Sequence, residues 1–287
     1  MANTLSDLRL VPTAGPLGVE VHGLDAARPL TAPVVLALKQ ALNDHHVLIY
    51  KAQDLSEKEY LAFASYFGAV FAPPKDVPVL ASKDNSGVPP EIVLVSNVDD
   101  GYAGSGELSP HADHQWTPLP SSGSLLYALE VPPTGGDTSF FNMHLAYETL
   151  DEGTKRQIQD QQLITYNPFV RNPEDPRPKY RLEPKPLVSP VFPHPLVRTH
   201  PSSGKKILFL GYATEVELLD TPPEAGAALI EKLRQHFIAE RFQYKHRWTV
   251  GDIVHWDNQA TLHARSAFEP SARRVMKRIS LSGSRPF

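Results

Sequence analysis

A chain of 287 residues, 41% hydrophobic and 21% charged, is long and apolar enough to bury a sizeable core. Its formal charge of −4 and pI near 6.3 leave no basic footprint for nucleic acid or an anionic membrane surface. Cysteine is absent, which excludes disulfide frameworks, thiolate zinc sites, iron–sulfur clusters and cysteine nucleophiles, so any metal must sit on nitrogen and oxygen ligands.

The N-terminal "MANTLSDLRL" lacks a signal-peptide pattern and no apolar run is long enough to span a bilayer, so a cytoplasmic location is expected. "GVEVHGLD" (18–25) alternates like a strand. "TAPVVLALKQALND" (31–44) has helical spacing, with Thr31 as N-cap and Pro33 near the first turn. Next come a buried strand, "HVLIY" (46–50), and a helix, 56–68, with the capping box Ser56…Glu59 and Gly68 as its stop. The pattern then loosens between about 70 and 110, apart from an apolar strand, "EIVLVSNV" (91–98). Strands at 124–131 and 138–143 flank the turn "PPTGGD", and 144–163 reads as one helix. The stretch 167–195 holds nine prolines and reads as an extended loop over the body of the fold, a second lid-like segment beside 70–110.

"HPLVRTH" and "KKILFLGY" make a hairpin around "PSSG", and 221–238 is a helix with Thr221 as N-cap and Glu224 completing a capping box. The C-terminal quarter alternates strand, turn, strand, loop, strand. Twenty-eight prolines, close to double the usual share, disfavour a helical bundle. Short strands with Gly/Pro turns and a few helices suggest a jelly roll or barrel sandwich rather than a βαβ sheet, in one domain over 1–287. Neither a phosphate-binding glycine loop nor a GxSxG elbow occurs.

"SPHADHQW" (109–116) raises the question of metal chemistry. His111 and Asp113 lie two apart and point the same way on an extended strand; alone, the tripeptide fits a solvated polar loop as well as a ligand pair. His263, 150 residues after Asp113, supplies a third ligand type at a distance a barrel can close. Two histidines and one carboxylate occupy one face of an octahedral metal and leave the rest open, which without thiolates suits Fe(II) in an oxygen-activating enzyme. Arg274 and Arg278, four apart on a strand with Met276 between, share a face. They read either as a solvated basic edge or as guanidinium groups lining an interior, where a dicarboxylate cosubstrate would meet them.

The set "HAD" (111–113), "PPTGGDTSF" (132–140), "PLVRTHPSSGKKILF" (195–209), "WDNQATLH" (256–263) and "ARRVMKR" (272–278) resembles the taurine and 2,4-dichlorophenoxyacetate dioxygenases, in order and over nearly the whole chain. That resemblance implies a mainly β fold with flanking helices, a double-stranded β-helix (jelly roll). It implies an Fe(II)- and 2-oxoglutarate-dependent dioxygenase that consumes O2, releases succinate and CO2, and self-associates as a homo-oligomer. His111, Asp113 and His263 would bind iron, Thr138 and Arg274 would hold the far carboxylate of 2-oxoglutarate, and Arg278 would face an anionic group of the substrate. A small carboxylate, sulfonate or sulfate ester fits that pattern. Taurine-specific members carry histidines after the "FG" that ends the second helix. "FGAVFAPPKDVP" (67–78) has none, which speaks against taurine itself. Asp113 argues against a halogenase, which lacks the carboxylate ligand. The rival classes are a non-catalytic jelly-roll binding protein and a zinc hydrolase on the same three ligands.

Other side chains have structural expectations. Trp256, Asp257 and Asn258 read as a core tryptophan and a turn, His255 as a strand histidine, and Gly135 and Gly136 as the turn that positions Thr138. His114 reads as a second-layer or pocket-rim imidazole, the "DHHV" histidines as a helix C-terminus, and Phe169 and Tyr180 as packing or substrate cover.

Overall fold

The computed structural model describes residues 2–71, 91–98, 103–168, 180–181 and 191–287. A short strand not expected from the sequence, β1 (Arg9–Pro12), pairs antiparallel with β2 (Val19–His22). Helix α1 (Ala32–His45) follows Thr31, which has the extended cap backbone but makes no side-chain cap bond. The helix ends where His46 takes a left-handed conformation (φ 63°), and β3 (Val47–Tyr50) starts at once. Helix α2 (Glu57–Ser65) carries the expected capping box: Glu59 N–H donates to Ser56 Oγ, and Ser56 N–H donates to Glu59 Oε2.

Then come β4 (Val93–Ser96), β5 (Leu108–His111), β6 (Gly123–Glu130) and β7 (Thr138–Asn142). The single helix expected over 144–163 is three elements: α3 (Met143–Glu148), α4 (Glu152–Ile158) and the start of β8 (Gln162–Thr165). Asp151 breaks it, its Oδ1 accepting Thr154 N–H at 2.9 Å and so restarting the chain as a capped helix. After β9 (Pro193–Pro195), the expected hairpin forms from β10 (Val197–Thr199) and β11 (Lys206–Leu208), and β12 (Val216–Leu218) follows. Helix α5 (Pro223–Phe237) starts later than expected. The residue before a proline is pushed out of the helical region, so extended Pro222 is the cap, and the Thr221 hydroxyl donates to Gln161 Oε1 instead. The chain closes with β13 (Gln243–His246), β14 (Ile253–Asp257), β15 (Thr261–Arg265) and β16 (Val275–Leu281).

The architecture is mainly β with flanking helices. Seven strands run β1-β2-β3-β14-β6-β16-β4 and four run β13-β7-β15-β5, every pair antiparallel except β2–β3. Period-two alternation sorts the larger sheet's side chains. Leu48, Tyr50, Leu125, Tyr127, Ile253 and Ile279 face outward onto α1 and α2. Val47, Ile49, Leu126, Ala128, Val254, Trp256 and Met276 face inward, where Phe140 of the smaller sheet meets them. The two sheets therefore close over one apolar layer. α3, α5 and the short strands pack in a second cluster that also takes Leu262 and Phe141.

Candidate metal centre and active site

The metal-ligand candidates meet where β15 lies between β7 and β5. Register makes His263 the direct partner of His111 on one side and of Phe140 on the other, and the two imidazole centroids lie 4.2 Å apart. His111 Nδ1 lies 2.9 Å from Ser109 O; the Nδ1–H donates to that carbonyl, which leaves the Nε2 lone pair for the site. The sequence expectation of one extended strand holds for His111 only. β5 ends there, and Asp113 swings inward in the turn that follows, where His114 adopts a positive φ of 59°. The carboxylate still arrives between the rings: Asp113 Oδ1 is 3.9 Å from Nε2 of both His111 and His263. All three ligand atoms lie within 4.8 Å of one another.

Electrostatics keep these groups in ligand form. Burial pushes the His263 imidazole down to about 3, helped by His111 and Arg278 and opposed by Asp113, so it is neutral at physiological pH. Burial works against ionising Asp113, but Arg278 and the surrounding histidines outweigh it and hold the carboxyl well below the usual range. Two imidazoles and a carboxylate, with no thiolate, fit a divalent first-row ion that keeps open positions.

The carboxylate is braced by residues far away in the chain. Asn258 Oδ1 accepts Asp113 N–H at 2.8 Å, while Asn258 Nδ2 donates to Asp113 O and Ser121 O, both at 2.9 Å. Ser124 Oγ donates to Asp113 Oδ2 at 3.1 Å, and Arg278 Nη1 donates to Asp113 Oδ1 at 3.2 Å. Trp256 packs its ring on His263, centroids 4.8 Å apart, and Asp257 lies 2.8 Å from His200 Nε2.

A cavity of about 370 Å³ opens on this cluster, and its wall includes His111, Asp113, His263, Thr138, Arg274 and Arg278, all six residues singled out in the sequence. Thr138 and Arg274 are buried, and Trp248 Nε1–H donates to Thr138 Oγ1 at 2.9 Å. The Arg274 backbone is held by Asn97, whose Oδ1 accepts its N–H at 2.9 Å. Gly135 and Gly136 turn the chain with φ of 73° and 69°. A Cβ on Gly136 would stand 2.9 Å from Pro132 and 3.3 Å from the Arg274 side chain, so the turn carries the arginine on a bare backbone.

Of the remaining candidates, His114 lines the cavity, stacked flat on Phe71 at 4.0 Å and pushed down to about 4 by burial. His255 lies on the opposite face of β14, against Phe67. Tyr180 belongs to the core beside α5, its hydroxyl accepting from Leu218 N–H at 3.2 Å; Phe169 lies outside the described residues. Arg265, Trp116 and Thr214 line the cavity without having been singled out. Arg265 was accessible from alternation, two residues past His263 on the same strand. Trp116 and Thr214 carry no such signal.

A two-histidine, one-carboxylate cluster on a mainly β frame, opening on a cavity with buried arginine, defines a mononuclear non-haem metal enzyme. The family described as "Taurine catabolism dioxygenase TauD, TfdA family" matches residues 9–280, and the chain belongs to it. It is 31% identical to the alpha-ketoglutarate-dependent 2,4-dichlorophenoxyacetate dioxygenase of Cupriavidus pinatubonensis, over 91% of this chain and 92% of that one. It is 29% identical to pentalenolactone F synthase of Streptomyces arenae, over 95% and 94% of the two chains. A crystal structure of a taurine dioxygenase from Burkholderia xenovorans superposes with a TM-score of 0.79 at 26% identity, covering 98% of this chain and 92% of that one. The protein is thus an Fe(II)- and 2-oxoglutarate-dependent dioxygenase. Among the described residues no helix is long and apolar enough to cross a membrane.

Proposed function

We propose that the enzyme hydroxylates a C–H bond of a small anionic substrate, a carboxylate, sulfonate or sulfate ester, while 2-oxoglutarate and O2 become succinate and CO2. Where the hydroxylated carbon bears oxygen or sulfur, the product collapses with cleavage of that C–O or C–S bond. The frame is a double-stranded β-helix in a single domain, His111, Asp113 and His263 hold Fe(II), Thr138 and Arg274 bind the far carboxylate of 2-oxoglutarate, and Arg278 meets the substrate anion. The observation that carries this is convergence: residues from four separate places in the chain, 111–113, 138, 263 and 274–278, line one cavity.

Iron bound there supplies the O2-activating, two-electron oxidising chemistry. The chain supplies position and shielding. Neutral His263 and ionised Asp113 present lone pairs without first losing protons, and the Ser109 carbonyl turns His111 Nε2 toward the same point. Buried Arg274 offers a planar donor fork to a carboxylate, and the Thr138 hydroxyl adds a donor at the same end. Arg278 touches the metal-ligand carboxylate, so an anion meeting its guanidinium lies beside the metal. Ala103 and Pro168, from the segments about 70–110 and 167–195, line the cavity, which supports a lid role for both. A cytoplasmic, homo-oligomeric enzyme belongs to the same proposal; light scattering tests the assembly.

Anaerobic Fe(II) and 2-oxoglutarate should give a visible charge-transfer band, and air should give succinate, faster with an accepted anion than without. Asp113→Ala should abolish both while circular dichroism stays native. A folded wild type with neither band nor succinate would leave the binding-protein or zinc-hydrolase alternatives.

A further inference from the structure

Trp248 takes no part in the ligand set and does not itself line the cavity, yet its side chain is committed to Thr138, which does. It is 9% exposed, and its indole N–H donates to Thr138 Oγ1 at 2.9 Å. The indole is held firmly. His246, the direct partner of Thr138 in the β13–β7 register, meets its ring edge-on at 4.6 Å. His246 Nε2 lies 3.1 Å from Asp252 Oδ2, which also accepts from Lys51 Nζ at 2.7 Å and from Thr249 N–H at 3.0 Å. The bracket is therefore buried and tied to three elements before any ligand arrives.

The consequence follows from donor and acceptor inventory. An indole nitrogen only donates; a threonine hydroxyl has one hydrogen and accepts through its lone pairs. With Trp248 donating, Thr138 must accept on that side, so its own hydrogen points elsewhere. A carboxylate only accepts, so it needs that hydrogen. A hydroxyl whose oxygen already accepts a hydrogen bond is also the stronger donor. We infer that Trp248 is a positioning residue for 2-oxoglutarate, fixing the Thr138 hydroxyl as a donor to the far carboxylate. This rests on the cosubstrate assignment proposed above.

The test compares two keto acids on the Mn(II)-loaded protein by anaerobic calorimetry: 2-oxoglutarate, and 2-oxopentanoate, which keeps the chelating end and lacks the far carboxylate. Trp248→Phe should weaken 2-oxoglutarate about 5- to 10-fold and leave 2-oxopentanoate unchanged. Thr138→Val should do the same, and adding Trp248→Phe to it should cost nothing more. Equal loss for both keto acids, no loss, or additive losses would overturn the inference. A second measurement needs no tryptophan variant. The chain has three tryptophans, so the Zn(II) form gives three indole N–H signals. One of them should move on Thr138→Val and, in the wild type, on adding 2-oxoglutarate but not 2-oxopentanoate; if none answers to both, the inference falls. If the wild type binds both keto acids alike and Arg274→Ala changes neither, the cosubstrate assignment itself fails, and the inference with it.

Discussion

At the scale of single residues, the site depends on side chains that never face the metal. Asn258 holds both backbone groups of Asp113, its N–H and its C=O, and so ties the turn after β5 to the turn that leads into the His263 strand. Asn258→Ala would take the partner from the buried Asp113 N–H and leave its C=O only the longer bond from Ser121 Oγ at 3.4 Å, at a cost of roughly 1–3 kcal/mol. It should also lower metal affinity about 10- to 100-fold, the usual loss when a ligand's support is removed. Mn(II) titration followed by electron paramagnetic resonance measures the affinity; unchanged binding in a destabilised variant would make Asn258 a packing residue only. His111, Asp113 and His263 were legible because ligand chemistry restricts residue type, and cysteine's absence narrows it further. The Asn258 clamp was not, because it acts on the backbone of a residue 145 positions away, and backbone groups leave no mark in a sequence. Trp248 escaped because its partner, the Thr138 hydroxyl, is 110 positions distant.

Among elements, period-two alternation made β2 readable and short apolar runs made β3 and β6 readable, since a strand buried on one or both faces must place apolar side chains there. Of the three-residue strands, β10 and β11 were read from the turn "PSSG" between them, while β9 and β12 offer too few positions for a period to show. The break between α3 and α4 was hidden by a continuous helical pattern and turns on one cap, Asp151. The turn between β6 and β7 was read correctly from its two glycines, and it has a mechanical role. Gly136 has a positive φ, and a methyl group there would press on the stem of Arg274. Gly136→Ala should therefore cost at least about 1 kcal/mol of stability through the strained backbone. By displacing the guanidinium it should also raise the KM for 2-oxoglutarate severalfold while leaving metal affinity unchanged. Steady-state kinetics beside Mn(II) titration would separate the two effects; a stability loss with unaltered KM would mean the arginine simply yields.

For the molecule as a whole, buried histidines outside the cavity, His46 and His255 among them, contribute to the response to acid. His255 is fully buried, and neither ring nitrogen has a partner among the described residues; burial pushes it down to about 3. His46, buried at the end of α1, is pushed down to about 4 by burial, against the pull of Asp257. In the unfolded chain both return to about 6.5. Above that pH neither state binds the protons, and the fold has its full stability. As pH falls below it, the unfolded chain takes up protons that the folded chain refuses, so stability drops by about 1.4 kcal/mol per pH unit for each histidine. The loss continues until the folded groups themselves titrate, near pH 4 for His46 and near 3 for His255. Replacing His255 by leucine removes its contribution and also a buried polar ring without hydrogen bonds among the described residues. His255→Leu should therefore be more stable than the wild type at pH 7.5, and the gap should widen by about 1.4 kcal/mol for each unit between pH 6 and 4. Urea unfolding across that range measures it, and taking the difference between the two proteins cancels the acid sensitivity of the metal ligands they share. A constant gap would show that His255 is protonated in the folded state, with a partner for its charge.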